Sequence, residues 1–320
     1  MKDDAIYYSV GALMYTPANN KDIMSKLLCN SFGTKFSLAF CLEDTISDYR
    51  VAEAEAILVD TIKALYSLQQ GGQNFYLPKI FIRVRRPDQI PDLLERFESA
   101  RDIITGFNAP KFDSNNTEAY VDKMIMCNGT YSKKFYLMPI LESKDLVDIR
   151  KRSDFLYYVK RNLDAIDDLV LNVRVGGNDL CHLFGLRRHS FETIYNVVPV
   201  ANILTDILTV FCPDYVVSGP VWEYYSGENW DTGMTEEIRR DLIAGFCGKT
   251  VIHPKQIDVL NNACRVFKED YEDAKTILDW KEDDSSMVGG SVIKSRMNEA
   301  KVHTNWARKT LYMAEYYGLK

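Results

Sequence analysis

The stretch LVLNVRVGGNDLCHLFG, residues 169–185, predicts a strand, a tight turn and a helix in direct succession. It begins with apolar and β-branched residues, continues with two glycines, and reaches an aspartate that leads into a segment with helical spacing. A strand that is almost continuously apolar is typical of a parallel sheet with both faces covered. The stretch therefore predicts one βα unit of an α/β fold.

The same succession recurs from residue 8 to about residue 260. The strand candidates are VGALMY (10–15), FSLAFCL (36–42), KIFIRV (79–84), ITGFNAP (104–110), FYLMPIL (135–141), LVLNVRV (169–175), DYVVSG (214–219) and KTVIHP (249–254). Charged segments of helical period, such as 52–68 and 146–163, separate them. This alternation predicts a (β/α)₈ barrel. An open doubly wound sheet is the main alternative, but no G-x-G-x-x-G motif opens a helix here.

The C-terminal part of the chain has a different pattern. We assign residues 1–264 to the barrel and 265–320 to a helical extension. A helix of mixed charge over 265–280 leads to KEDDSSMVGG, which predicts a linker or a lid hinge, and a last helix is expected over 298–317.

Composition narrows the classes of function. The chain has 320 residues, a 46% hydrophobic content and a net charge of −6, without a basic run that could follow a phosphate backbone. We therefore expect no nucleic-acid partner. No apolar run approaches the roughly 20 residues that span a bilayer, and the first residues are acidic, so we expect a cytoplasmic protein that does not enter membranes. The seven cysteines are isolated, which favours free thiols over disulfides or zinc.

Charged residues follow most of the predicted strands. In a barrel of this kind the chemistry lies at the carboxyl ends of the strands. Acids and bases gathered there are costly to desolvate unless a ligand or metal uses them. The candidates are Glu43 and Asp44 after strand two, Arg83 at the end of strand three, Lys111 after strand four, Glu142 after strand five and Asp179 after strand six.

Glu142 and Asp179 close neighbouring strands, and two such carboxylates suit Mg²⁺. The guanidinium of Arg83 is suited to hold a substrate carboxylate through paired hydrogen bonds. Gly176 and Gly177 would let backbone N–H groups approach an anion at the start of a helix. Together these residues predict metal-assisted chemistry on a small acid.

Each residue also has a purely structural interpretation. Asp44 and Asp179 could cap the helices that follow them, and Glu43 or Lys111 could belong to structural ion pairs. A tight turn without a ligand would equally explain the two glycines. The functional interpretation therefore depends on the whole set of residues.

Several motifs resemble those of the HpcH/HpaI aldolase and citrate lyase beta-subunit family over most of the chain. They are ALMYTPANNKDIMSKLL, CLEDTISDYRVAEAE, IFIRVRR and GFCGKTVIHPKQIDVLN. The chain is most similar to a divergent branch, the C–C bond lyases linked to tellurium-resistance gene clusters.

This resemblance implies a TIM barrel with Mg²⁺ on Glu142 and Asp179 and a substrate held by Arg83. It further implies carbon–carbon bond cleavage or formation through a metal-stabilised enolate. The substrate would be a 2-oxo or 2-hydroxy acid or its coenzyme A thioester, and Lys111, Gly176 and Gly177 would contribute to its binding. Glu43 and Asp44 would orient water or Arg83.

The C-terminal extension of this family reaches a neighbouring subunit and supplies an acid, which the resemblance places at Glu299. A homo-oligomer, a trimer or a hexamer, is therefore expected. The chain departs from the family pattern at Cys41 and after Glu142. These departures leave a non-catalytic barrel, acting as an assembly or regulatory component, as the alternative.

Overall fold

A closed barrel of parallel strands forms the centre of the protein. The computed structural model describes residues 2–33, 35–281 and 286–320. Neighbouring strands follow the order β7-β6-β5-β4-β3-β2-β1-β8. The strands are β1 (Ala12–Pro17), β2 (Phe36–Cys41), β3 (Lys79–Arg83), β4 (Ile104–Ala109), β5 (Tyr136–Leu141), β6 (Val173–Val175), β7 (Val217–Ser218), β8 (Lys249–Val251), β9 (Val288–Gly290) and β10 (Met297–Glu299).

The barrel closes between β7 and β8. Gly219, directly after β7, forms a parallel bridge with Lys249, and its N–H donates to the carbonyl of Gly248 at 3.0 Å. The N–H of Cys247 donates to the carbonyl of Val217 at 2.7 Å. The predicted (β/α)₈ barrel is thereby confirmed, and the open sheet is excluded.

Helices cover the outside of the barrel. They are α1 (Ala5–Tyr8), α2 (Ile23–Leu28), α3 (Val51–Gln70), α4 (Gln89–Phe97), α5 (Thr117–Thr130), α6 (Arg152–Asp164), α7 (Gly177–Leu183), α8 (Val198–Phe211), α9 (Trp230–Ala244), α10 (Lys255–Ala263), α11 (Lys268–Asp279) and α12 (Ala300–Tyr317). Within the three described ranges, none of them has the length and apolar character needed to cross a membrane.

The core has two layers, as the alternation of side chains along a strand requires. Leu13, Ala39, Phe81 and Met138 belong to a small cluster inside the barrel. The opposite faces of the strands pack against the helices in one large apolar cluster. The strands are therefore covered on both sides, which is why their sequences are nearly continuously apolar.

Some elements are shorter than their sequence patterns predict. The run 169–175 forms a strand only from Val173, because Asp167–Leu169 is a 3₁₀ turn. The run 249–254 ends as a strand at Val251, since Pro254 precedes α10. The predicted helix over 146–163 begins at Arg152, after a 3₁₀ turn at Lys144–Leu146.

The C-terminal region contains a small hairpin that the sequence did not indicate. Gly289 and Gly290, predicted as part of a linker or hinge, lie in β9, which pairs antiparallel with β10. Residues 282–285 of the same predicted linker lie outside the described residues. Asn298 and Glu299, predicted as helical, belong to β10, so the last helix begins at Ala300.

The last helix packs against the barrel of its own chain. Met313 and Tyr317 join the large apolar cluster. Lys309 Nζ donates to the carbonyl of Gly245 at 2.8 Å, and Tyr312 stacks on Tyr8 with ring centroids 5.1 Å apart. The division of the chain at residue 264, with an extension that reaches a neighbouring subunit, stays a prediction.

Candidate active site

Arg83 lies at the centre of the charged residues at the carboxyl end of the barrel. Its Nη2 is 2.9 Å from Glu43 Oε2, 3.1 Å from Asp44 Oδ2 and 3.3 Å from Glu142 Oε1. These residues follow β2, β3 and β5, whose carboxyl ends meet at one rim. The structure thus brings together four of the residues predicted from the sequence.

Lys111 joins the same cluster from the end of β4. Its Nζ bonds to Glu43 and lies 3.0 Å from Asp44 Oδ1, while its backbone N–H donates to Glu142 Oε1 at 2.9 Å. Its φ of 47° is in the left-handed region, a conformation rare for a lysine. The strained turn aims both the side chain and the N–H of Lys111 at the acids.

The capping interpretation of the two aspartates is wrong. Asp44 does not begin a helix, since a 3₁₀ turn starts at Asp48 and α3 only at Val51. Asp179 lies inside the first turn of α7, whose N-cap is Gly176. Both side chains are therefore available for contacts at the rim.

Glu142 is a buried acid with an unusual pKa. Burial raises that pKa, the negative charge of Asp179 raises it further, and the opposing charge of Arg83 leaves it at about 8 instead of 4.5. The carboxylate also packs against Gly176, where any side chain would overlap Glu142. A buried acid beside a second acid is the arrangement that a bound cation would stabilise.

The pKa values of Glu43 and Asp44 shift in opposite directions. Burial is the main cause that raises the pKa of Glu43. Burial also opposes the ionisation of Asp44, but its hydrogen bond with Glu43 and the charges of Arg83 and Lys111 hold its pKa below the usual value. When the pKa values of two neighbouring acids differ, the acid with the raised pKa is suited to carry a proton and the other stays ionised.

Asp179 and Glu142 face a cavity of about 680 Å³ above the strand ends. Lys111, Asp113, Asp145 and His182 are further lining residues. The cavity is large enough for a small organic acid, and all of its lining residues except Leu183 are polar or charged. It is the space in which a ligand would meet the predicted metal-binding pair.

The residues fit a hard cation by their donor chemistry. Mg²⁺ takes one or two protein carboxylates and leaves its other positions to water and substrate oxygens. Glu142 and Asp179 supply that pair, and the charge of Asp179 adds to the effect of burial in raising the pKa of Glu142. Among the residues that the structure describes, no group of three or more acidic, histidine or cysteine side chains has metal-binding geometry, so the fit depends on this pair.

The two glycines of the β6–α7 turn have packing roles. The N–H of Gly176 donates to the carbonyl of Leu141 at 3.2 Å, and a side chain on Gly177 would collide with Pro220. The anion contact predicted for their backbone N–H groups stays a prediction. Glu299 lies in the β9–β10 hairpin, where its N–H donates to His303 Nδ1 at 2.9 Å, and no hydrogen bond or ion pair within the described part of the chain joins it to the rim.

Polar residues inside the barrel were not predicted from the sequence. Tyr15 lies beneath Arg83, whose Cζ is 5.7 Å from the centre of the ring, and the phenol accepts a hydrogen bond from Asn108 at 2.9 Å. Arg174 is buried nearby in β6. The available signal was a polar residue within an otherwise apolar strand run, in GFNAP and in LVLNVRV.

The comparison with protein families shows the family of the chain. A family model described as "C-C_Bond_Lyase of the TIM-Barrel fold" matches residues 4–319. The chain belongs to this family. The C–C bond lyase family carries out carbon–carbon bond chemistry, which confirms the enzyme class expected from the citrate lyase-like motifs and argues against a non-catalytic barrel. No curated protein matches the chain in sequence.

Solved structures of other proteins share the fold of this C–C bond lyase. The protein CitE of Mycobacterium tuberculosis, in complex with magnesium, acetoacetate and coenzyme A, is 17% identical, with a TM-score of 0.61 over 97% of this chain and 99% of that one. RipC of Yersinia pestis is 14% identical, with a TM-score of 0.54 over 80% of this chain and 95% of that one. The M. tuberculosis citrate lyase beta subunit with oxaloacetate and magnesium is 16% identical, with a TM-score of 0.50 over 81% of this chain and 99% of that one.

Proposed function

We propose that the protein is a Mg²⁺-dependent lyase or aldolase that acts on a 2-oxo or 2-hydroxy acid, or on its coenzyme A thioester. The observation that carries this proposal is the buried Glu142, which lies beside Asp179 on the cavity and within 3.3 Å of Arg83. Two similar structures, which contain magnesium with acetoacetate or with oxaloacetate, support it.

Glu142 and Asp179 would hold the metal, which supplies positive charge for the oxygen that becomes an enolate when the bond breaks. Arg83 would hold the substrate carboxylate while its contacts with Glu43 and Asp44 fix the guanidinium in place. Lys111 keeps Glu43 and Asp44 together at the rim. Glu43, whose pKa burial raises, is the member of that pair suited to carry a proton.

Calorimetric titration with MgCl₂ tests the metal site. We expect Glu142→Gln and Asp179→Asn each to weaken Mg²⁺ binding at least tenfold, because each removes one of the two charged ligands. Asp145→Asn is the matched control, since Asp145 lines the same cavity without belonging to the proposed pair. Equal Mg²⁺ affinity in the wild type and in both site variants would contradict the proposal.

A second experiment separates the two substrate classes. A free 2-oxo acid and an acyl-coenzyme A thioester, each with Mg²⁺, should raise the melting temperature only if they bind the folded protein. Coenzyme A is bound in one similar structure, and its use by this chain is part of the proposal. Cleavage of the same compound, followed by detection of the two carbon fragments, then establishes turnover.

The proposal includes a homo-oligomer, a trimer or hexamer, in which Glu299 reaches the site of a neighbouring subunit. The position of Glu299 at the end of an exposed hairpin supports it, since Val288 and Met297 of that hairpin are 48% and 58% exposed. Light scattering gives the number of subunits, and mixed oligomers of Glu299→Gln with Asp179→Asn chains would regain activity only if the two residues act across an interface. The expected cytoplasmic location stays a prediction.

A further inference from the structure

Arg174 is a buried cation without a counter-charge. The residue is 2% exposed, and its hydrogen-bond partners among the described residues are neutral groups: Asn172 Oδ1 accepts from Nη1 at 3.2 Å, Thr250 Oγ1 accepts from Nη2 at 2.8 Å, and the phenol of Tyr15 is a third partner. Burial lowers its pKa, and the groups that oppose this effect are tyrosines, not carboxylates. Arg83 at the rim, by contrast, contacts three acids.

The guanidinium of Arg174 lies inside the barrel. It bonds to Thr250 of β8, a strand that is separated from β6 by β7, so the side chain must cross the barrel interior. Other buried polar atoms of this interior also lack a partner in the described structure, namely Arg174 Nε, Asn108 Oδ1 and Ser218 Oγ. Unpaired polar atoms in a protein interior destabilise the folded state unless a ligand or a water molecule forms the missing hydrogen bonds.

This polar interior connects with the rim above it. The ring centre of Tyr15 is 5.7 Å from Arg83 Cζ at the rim. Tyr15 and Thr250 are half-buried, whereas Arg174 is almost completely buried. Arg174 pairs in register with Ile140, two residues before Glu142, a separation of roughly 7 Å along a strand. A four-carbon diacid bridges a comparable distance.

We infer that Arg174, together with the hydroxyl groups of Tyr15 and Thr250, binds a second anionic group of the substrate inside the barrel. The first carboxylate lies at the rim on Arg83, and the second extends inward to the phenol, the threonine hydroxyl and the guanidinium behind them. The inference rests on the proposed function, because it assumes that a 2-oxo or 2-hydroxy acid occupies the rim. It narrows the substrate class to acids with two carboxylates.

The position of the phenol supports this arrangement. Tyr15 already accepts the Nδ2 hydrogen of Asn108, so the hydroxyl proton of Tyr15 is free to be donated to an incoming oxygen. Burial raises the pKa of Tyr15, although the charges of Arg83 and Arg174 act to lower it, so the phenol keeps its proton at neutral pH. A protonated phenol beside a guanidinium is a pair of donors that suits a carboxylate.

Malate and 2-hydroxybutyrate form a matched pair of probes. They share a four-carbon 2-hydroxy acid skeleton and differ in that a methyl group replaces the second carboxylate. In calorimetric titrations with saturating Mg²⁺, we expect the wild type to bind malate at least tenfold more tightly. If 2-hydroxybutyrate binds and malate binds no more tightly, the second anion site is wrong while the proposed function stands. If neither acid binds, the second anion site is wrong, and the thioester experiment and the MgCl₂ titration decide on the proposed function.

Variants test which residues cause the preference for malate over 2-hydroxybutyrate. Arg174→Gln should bring the malate to 2-hydroxybutyrate affinity ratio close to one, and Tyr15→Phe and Thr250→Val should each lower it severalfold. The last two variants retain Arg174, so they can test the inference even if Arg174→Gln does not fold. Arg152→Gln is the matched control, because Arg152 is also buried but forms its ion pair with Asp206 on the outside of the barrel. An unchanged ratio in Tyr15→Phe and Thr250→Val would overturn the assignment.

Discussion

The carboxylate of Glu142 occupies the space in which a side chain of residue 176 would begin. An ideal Cβ built on Gly176 overlaps Glu142 Oε2, so only glycine is compatible with this position of the acid. The two residues follow neighbouring strands, β5 and β6. The β6–α7 turn is therefore part of what fixes the predicted metal ligand.

Gly176→Ala should displace Glu142 and weaken Mg²⁺ binding at least tenfold. We also expect a lower free energy of unfolding, by about 1–3 kcal/mol, because overpacking of a buried site strains its surroundings. Calorimetry with MgCl₂ and urea denaturation measure the two effects. Gly129→Ala is the control, since nothing lies within 4 Å of its Cβ and it should leave Mg²⁺ affinity unchanged.

The raised pKa of Glu142 predicts a pH dependence of stability without added metal. The pKa is about 8 in the folded protein and near 4.5 in the unfolded chain, so the folded state binds the extra proton between these values. The free energy of unfolding should therefore fall as the pH rises from 4.5 to about 8, by up to about 1.4 kcal/mol per pH unit. The difference between wild type and Glu142→Gln, from urea denaturation at several pH values, isolates this contribution; parallel curves would contradict it.

Arg83→Lys should weaken the binding of 2-hydroxybutyrate in the presence of Mg²⁺ at least tenfold. Lysine keeps the charge but loses the planar pair of donors that holds a carboxylate. Arg85→Lys is the control, because Arg85 lies two residues further along and its Nη2 bonds to Asp48 at 2.6 Å, away from Glu142. Unchanged affinity in Arg83→Lys would mean that positive charge alone, and not the planar pair of donors of Arg83, holds the acid.

A second buried cluster of charges stabilises the closure of the barrel. Lys249 Nζ lies 3.0 Å from Glu237 Oε1 and 2.7 Å from Asp241 Oδ2, and all three side chains are almost completely buried. Lys249→Met should lower the free energy of unfolding by about 3–5 kcal/mol, because it leaves the buried Asp241 without its counter-charge, whereas Glu237 keeps Arg188 at 3.3 Å. Adding Asp241→Asn to Lys249→Met should restore part of the loss in urea denaturation. Lys275→Met, on the surface of α11, should have a much smaller effect.

The strands that the sequence predicts best are those with continuous apolar runs. The bounds of β2 to β5 agree with the prediction within a residue or two. By contrast, β6 begins four residues later than predicted, and the first residue of its apolar run, Leu169, belongs to a 3₁₀ turn. The rim residues were predictable because each one lies at the carboxyl end of a strand. A residue at a strand end lies at the rim whichever way the strands are aligned in the sheet. Glu43, Arg83, Lys111 and Glu142 indeed meet there.

Tyr15, Asn108 and Arg174 were not predicted as site residues, because which face of a strand points into the barrel depends on register, and every strand here is apolar on both faces. The β9–β10 hairpin was missed for another reason. Its glycines and polar residues have little strand propensity of their own, and the pairing depends on contacts such as Arg296 with Asp273 at 2.7 Å.

The packing of Tyr316 has a consequence for how the chain folds during synthesis. Its ring lies against Gly11, directly before β1, where any side chain would overlap it, and β1 pairs with β8. The first strand of the barrel thus obtains one neighbour only after residue 249 has been made, and its lower end is covered only after residue 316. A nascent chain on the ribosome therefore holds β1 with an open edge until β8 has been made, and this end of the barrel is covered only after residue 316.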